Sequence, residues 1–578
     1  MERRWDEVFN FLSCGAYPAE MTRCQRQTLR KYAAKFSIHD GGLYYGKTPT
    51  RRAVKSKEEA VSLFQIYHST LKSRHTGVQK TRAALCSRFF WKGITTDVDK
   101  WVSECECSKV RPHLKIIKIY SEDWEGVREK KPNVRCTAMA AHEEFFPGIP
   151  KIQYVPNAGP GDVMCFKHYH AEEVLLGKTM EDWLRFSVCY WHTFCGTGAD
   201  PFGLPTFNRP WNEKSPMKAA KMRLCAAFEF FTKLGVKYYT FHDRDMAPEG
   251  STLEESNKNL DTITDLALEL QEQTGVKVLW VTCNLFAHPR YMNGAATNPD
   301  SHVLAYAGAQ VKKGLEVAKK LGAENFVFWG GREGFHSIHN TAVAVELSHM
   351  ANFFKMAIKY KEKIGLKCQF LIEPKPKEPC KHQYDYDAMS VIGFLKHFGL
   401  ENHFKLNIEP NHTTLAGHTY EHDIVMASVF GMLGSVDANT GSPDLGWDTD
   451  QFPMDIRNTT LVMKTIVEQG GLQPGGLNFD AKVRRESVDP EDLFIAHIGA
   501  MDAFARGLRN ALSICQDGIL ENLLKERYLS FSHGIGLKVE EGSATLEEME
   551  AFIKENGEPK LTSGKQEKYE SIFNYYVK

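Results

Sequence analysis

Eight short apolar or aromatic runs, spaced as strand–loop–helix units require, limit what this chain can fold into. They are Phe186–Phe194, Val236–Asp243, Lys277–Asn284, Asn325–Arg332, Gln369–Lys375, Lys405–Asn411, Gly434–Asn439 and Gly476–Lys482. Helical patterns lie between many of them. Ala219–Leu234, Val303–Leu321 and Ile338–Ile364 repeat apolar residues at every third or fourth position. Strands alternating with helices over about 300 residues predict an α/β fold closed into a (β/α)8, or TIM, barrel. In such a barrel a site gathers at the C-terminal ends of the strands.

Four of the strand ends carry chemistry-bearing side chains. Lys367–Lys375 supplies Glu373 and Lys375, Gly431–Asn439 supplies Asp437, and Gly475–Lys482 supplies Asp480. The run from Lys405 to Ile408 leads into Glu409 and His412. Pro410 stops that strand, so both side chains are expected in the loop above it. Asp448 and Asp450 fall in a loop between the last two runs. Carboxylates and an imidazole gathered this way share or bridge metal ions. The second run ends on His242, with Asp245 three residues on, a pair suited to proton handling. The fourth ends Trp329-Gly330-Gly331-Arg332. Its glycine spacing is wrong for a phosphate loop, so Trp329 is expected as an apolar wall.

A chain of 578 residues is too long for one ordinary core, so two or more domains are expected. Its formal net charge is zero, which argues against a nucleic-acid coat but leaves room for local asymmetry. Residues 51–118 show it, with 15 Lys/Arg against 6 Asp/Glu. Fourteen scattered cysteines form no disulfide framework, which points to a reducing compartment. The N-terminus has no secretory pattern and no apolar run reaches membrane-spanning length. A cytoplasmic protein without membrane attachment is therefore expected.

His68 and His75 are separated by six residues, and Cys105 and Cys107 follow. Two His and two Cys suit a tetrahedral zinc that staples a small domain. The stretch 68–81, then Phe90-Trp91-Lys92-Gly93-Ile94, Asp97-Val98 and Trp101-Val102, resembles the zinc-binding His-His-Cys-Cys domain of retroelement integrases. The match covers about residues 45–112 and implies a structural Zn²⁺ on His68, His75, Cys105 and Cys107. The hook Cys105-Glu106-Cys107 is one residue shorter than the family's Cys-x-x-Cys. No acidic triad of an integrase core follows, so strand transfer is not expected. Any nucleic-acid contact falls to this basic domain.

From about Phe145 onward the chain resembles xylose isomerases of the longer-chain class. The shared words are Tyr190-Trp191-His192-Thr193-Phe194, Phe241-His242-Asp243, Gly294–Asp300, Trp329–Gly334, Ile372–Pro379, Leu415–His418, Gly446–Pro453 and Gly475–Lys482. The resemblance implies a two-metal site. Glu373, Glu409, Asp437 and Asp480 hold the first ion, with Glu409 bridging; His412, Asp448 and Asp450 complete the second. Lys375 hydrogen-bonds the carbonyl oxygen, and His242 with Asp245 assists ring opening. Trp191 and Trp329 line the pocket, and Phe202 enters a neighbouring subunit's pocket in a homotetramer. The implied reaction interconverts D-xylose and D-xylulose, with D-glucose and D-fructose as a second pair, by a metal-assisted hydride shift. Six carboxylates and one His favour two Mg²⁺ per subunit, alternatively Mn²⁺ or Co²⁺.

The expected organisation is an extension over 1–44, an integrase-like zinc domain over 45–112 and a linker over 113–148. A barrel over 149–494 and a C-terminal helical oligomerisation arm over 495–578 follow. Met139 offers a second start for a chain holding the whole enzyme. Two other classes stay open: a metal-dependent barrel hydrolase, disfavoured by its usual richness in His, and a nucleic-acid-binding protein led by residues 45–112.

Overall fold

The structure, a computed structural model, describes residues 2–39, 42–46, 51–68, 78–104 and 144–578. It divides into two compact units, Met1–Arg135 and Cys136–Lys578.

In the first unit, helices Glu2–Cys14, Arg23–Ala33, Lys57–His68, Val78–Arg88 and Ile94–Glu104 accompany a four-stranded sheet. Its strands are Phe36–His39, Gly42–Tyr45, Arg51–Ala53 and Phe89–Phe90. The sequence predicts a small, mainly helical domain here, and the unit is mainly helical with this short sheet in addition. The strands are two to four residues long, too short to show a period of two. The boundary expected at 44/45 falls inside the second strand. The strand Arg51–Ala53 then pairs with Phe89–Phe90, joining distant parts of the unit. Trp5, Val8, Leu29 and Phe36 build one apolar core, and Phe64, Leu85, Trp91 and Val98 a second. Of the expected zinc ligands, His75, Cys105 and Cys107 lie outside the described residues, as does His68 beyond its place at the end of a helix.

The second unit is the expected barrel. Its strands are β1 Phe186–Cys189, β2 Tyr238–His242, β3 Lys277–Thr282, β4 Asn325–Trp329, β5 Gln369–Glu373, β6 Phe404–Ile408, β7 Leu433–Asp437 and β8 Leu477–Phe479. All pair in parallel in sequence order, and β8 returns to β1 through Leu477↔Phe186 and Phe479↔Val188. Helices Pro216–Leu234, Leu253–Thr274, Ser301–Leu321, Val343–Ile364, Ala388–His397, His422–Val429, Ile456–Glu468 and Pro490–Asp517 follow the successive strands. Local signals set their ends. Thr252 and Asp300 cap two of them through side-chain oxygens, and Gly322, at φ 67°, closes Ser301–Leu321 in the left-handed conformation.

The strands are buried on both faces, as a parallel barrel requires. Phe326, Phe370, Phe404 and Tyr239 belong to the large apolar core, while Leu279, Val327 and Leu371 form a smaller one with Trp280. At the N-terminal end Arg185 donates to the Gly475 carbonyl at 2.6 Å and pairs with Glu324. The far end is left for the charged residues.

Two sequence expectations are refined by packing. Phe146, expected in the linker, is buried against Trp211, Phe230 and Phe494. Glu229 holds it there by accepting the Phe145 and Phe146 N–H groups at 2.8 and 3.0 Å. Helix Pro490–Asp517 crosses the 494/495 boundary and buries Leu493, Phe494, Ile498, Met501 and Phe504. It packs mainly on helix Ile456–Glu468, so its body belongs to the barrel shell.

Candidate functional site

The expected ligands converge above β5 to β8. Glu373 and Asp437 are the last residues of β5 and β7, and Glu409 and Asp480 directly follow β6 and β8. One oxygen each from Glu373, Glu409, Asp437 and Asp480 falls within 4.8 Å of the others. Glu409 also forms such groups with Glu373 and His412, and with Asp448 and Asp450. Glu409 is therefore common to all three.

His412 corrects one expectation. It lies in a short helix, Pro410–Leu415, and not in a loop. Pro410 ends the strand but is also well suited to a first helical position, because its missing N–H has no partner to lose there. The helix aims the ring into the cavity. Its Nδ1 is 2.9 Å from the Pro374 carbonyl, to which it donates. That bond leaves the Nε2 lone pair facing Glu409 Oε2 at 3.2 Å and Asp448 Oδ2 at 3.1 Å. A lone pair facing two carboxylate oxygens is repulsive unless a positive charge lies between them.

Amide side chains brace the carboxylates from below. Asn407 donates to Glu373 at 3.1 Å and Asp437 at 2.7 Å, and Asn478 donates to Asp437 at 2.8 Å. Asn439 donates to Glu409 at 2.7 Å, and Asn411 to Asp448. Asn478 is itself fixed by Ser187 and Thr240, which donate to its carbonyl oxygen at 3.0 and 2.7 Å. The sequence reading missed these amides. Asn407/Glu409, Asp437/Asn439 and Asn478/Asp480 are each two residues apart, so strand alternation was the signal that could have found them.

Crowding governs the charges. Burial, followed by the charges of Asp437 and Asp480, pushes Glu373 well above the usual carboxylate range. Burial with Asp448, Asp480 and Asp450 does the same to Glu409. Burial and Asp480 push Asp437 up to about 8. Asp448 goes the other way: burial opposes its charge, but the Lys375 ammonium outweighs burial and holds it well below the usual range. Lys375 donates to Asp448 at 2.7 Å, and Lys482 to Asp450 at 2.8 Å. Six carboxylates thus face two lysines. The remaining deficit of about four unit charges, before His192 is counted, suits two divalent cations. The mostly oxygen donor set fits hard cations, with one imidazole on the second ion.

Of the remaining expected residues, Trp191, His242, Trp329 and Lys375 line the same cavity of about 220 Å³. His242 Nδ1 lies 2.7 Å from Asp245 Oδ2, and its ring packs edge-on against Trp191 at 4.5 Å. Phe286 stands edge-on to Trp329 at 4.4 Å. Trp280, Thr282, Phe286 and His192 join this wall and were not foreseen. His192 lies between Asp450 and Asp480; burial opposes its charge, yet those carboxylates lift it to about 9. Phe202 is not in this wall. It is 78% exposed, its ring 5.1 Å from that of Trp447.

Comparison with known proteins bears on this arrangement. A xylose isomerase of Arabidopsis thaliana is 52% identical over 78% of this chain and 91% of its own length. Those of Bacillus velezensis and Bacillus subtilis are 54% and 55% identical, each over 72% of this chain and 93% of its own length. Residues 524–577 match the family described as XylA2 C-terminal domain, and residues 55–113 the integrase zinc binding domain. On the likeness of three quarters of its length, the chain belongs to the xylose isomerase family.

Proposed function

We propose that the barrel interconverts D-xylose and D-xylulose, with D-glucose and D-fructose as a second pair, by ring opening and a hydride shift. The observation that supports this best is the set of six carboxylates and His412 gathered around one cavity beside Lys375 and the His242–Asp245 pair. Two divalent cations, when bound, polarise and orient neighbouring sugar oxygens as Lewis acids. Glu373, Glu409, Asp437 and Asp480 would hold one, and Glu409, His412, Asp448 and Asp450 the other. Mg²⁺ is the expected ion, alternatively Mn²⁺ or Co²⁺.

The chain's own groups do the rest. Asp245 accepts from His242 Nδ1 and orients the ring, so Nε2 is free to move a proton at the sugar during ring opening. Lys375 is held charged by Asp448 and Glu409 against the cost of burial. Its Nζ donates to the carbonyl oxygen of the open sugar, where negative charge develops. Trp191, Trp329 and Phe286 exclude water, which disfavours proton-exchange side paths.

We assign Phe202 to a neighbouring subunit's pocket in a homotetramer. Its exposure supports this, as do the exposed Leu529, Leu546 and Leu561 on the C-terminal segment. The N-terminal unit is assigned a structural Zn²⁺ on His68, His75, Cys105 and Cys107, supported by the matched integrase domain. Nucleic-acid contact through that unit is the secondary reading, and its test is DNA affinity against salt. No helix among the described residues is long and apolar enough to cross a membrane. Cysteine usage supports a cytoplasmic location.

The deciding experiment is a D-xylose isomerisation assay on the full chain, as purified, after chelation, and after Mg²⁺ is restored. Turnover should vanish on chelation and return with Mg²⁺. Full turnover after chelation would exclude the metal-assisted reaction.

A further inference from the structure

His192 lies where the two groups of carboxylates meet. Its Nε2 is 3.0 Å from Asp480 Oδ1 and 3.3 Å from Asp450 Oδ2. Asp480 belongs to the four-carboxylate group with Glu373, Glu409 and Asp437, and Asp450 to the group with Glu409 and Asp448. The preceding residue acts on the same oxygen: Trp191 Nε1 donates to Asp480 Oδ1 at 2.9 Å. Two consecutive ring N–H groups therefore occupy one oxygen of Asp480 and leave the other for a cation.

The local backbone explains how neighbours in sequence meet one atom. Consecutive side chains on an α-helix do not face each other. Trp191–Cys195 forms instead a single π-helical turn directly after Tyr190, at the exit of β1. Such turns are uncommon and concentrate at functional sites. Closing it demands a glycine, because a Cβ at Gly196 would stand 2.4 Å from the His192 carbonyl oxygen. Lys482 takes Asp450 Oδ2 at 2.8 Å from the other side, so Asp450 is clamped between two donors. Among the described residues neither donor hydrogen-bonds the Glu373, Asp437 or His412 side chains.

We propose that His192 is a positioning residue that holds one ligand of each cation in register and so couples the two ions. Donors of this kind fix the rotamer of a ligating carboxylate before the ion arrives. The inference rests on the two-cation reading above, and its test separates the two.

The probe is Mn²⁺, titrated into chelated full-length protein by calorimetry and by the electron paramagnetic resonance of free Mn²⁺. The wild type should take up two ions per subunit. H192F removes the donor but keeps a ring, and should weaken both ions by about 10–100-fold. H192Q keeps an N–H donor and should recover most of that loss. G196A changes no polar group; by displacing the turn it should weaken both ions as well. If H192F does not fold, H192A removes the same donor without added bulk and carries the same expectation. Unchanged Mn²⁺ affinities in the donorless variant, or H192Q binding as weakly as it, would overturn the proposal. D480N decides the underlying reading. If D480N binds two Mn²⁺ as the wild type does, the metal-site assignment itself falls. If D480N loses binding while the donorless variant keeps it, only the role of His192 falls.

Discussion

Glu409→Gln removes one charge from the centre of the site and almost nothing else. Glu409 is the carboxylate shared by the three candidate ligand groups of this cavity and is 2% exposed. Asn439 donates to Oε1 at 2.7 Å, a bond the amide carbonyl of Gln can keep. At an effective interior dielectric of about 20, unit charges about 4 Å apart interact by about 4 kcal/mol. A divalent ion loses at least that much, which weakens each by at least about a thousandfold, at about 1.4 kcal/mol per tenfold. Turnover of D-xylose in Mg²⁺ should fall by at least about the same factor.

Stability without metal should change in the opposite direction. Burial and the charges of Asp448, Asp480, Asp450 and Glu373 all oppose the Glu409 charge, so removing it relieves the metal-free fold. The variant should therefore melt above the wild type in chelator and below it in excess Mg²⁺. Differential scanning calorimetry, Mn²⁺ titration and a coupled spectrophotometric assay read the three effects. Normal turnover in a preparation free of wild-type enzyme would refute the bridging assignment. Lost turnover with two ions bound at wild-type affinity would refute the electrostatic reasoning.

The chelated protein should melt higher at about pH 6 than at about pH 8.5. Burial and Asp480 push Asp437 up to about 8, and burial followed by the Glu333 charge pushes Asp385, a buried residue beyond β5, up to about 7, so the folded state binds protons there that the unfolded chain does not. His192, lifted to about 9, adds stability that is lost as pH rises through that value, with the same sign. A flat or rising melting temperature over this range would contradict the account. His242→Asn should slow turnover of cyclic xylose more than of an open-chain substrate; equal losses would leave it no part in ring opening. Light scattering on the full chain should give a tetramer, and a stable, active monomer would remove both Phe202's role and that of the C-terminal segment.

The barrel and most candidate ligands were legible because their signals are local. An apolar run ending on Glu373, Asp437 or Asp480 marks a strand and its exit in one short window, and parallel barrels place exits on one face. The partners of those residues were less legible. Asn478 meets Ser187 and Thr240 only because β8 closes against β1. No window of sequence holds all three. The sheet of the first unit was missed for a related reason, since Arg51–Ala53 finds Phe89–Phe90 only in three dimensions.

By itself the sequence determined the strand and helix alternation, the choice of candidate ligand side chains and the pairing of His242 with Asp245, three residues apart. The tertiary structure alone decided which oxygen of Asp480 is occupied, that His412 offers Nε2 and not Nδ1, and that His192 stands between Asp450 and Asp480. The physical reason is the range of the forces concerned. Periodicity and capping act within a turn or a strand, whereas hydrogen-bond geometry and the repulsion of buried carboxylates depend on which distant residues the closed barrel brings within about 3–4 Å.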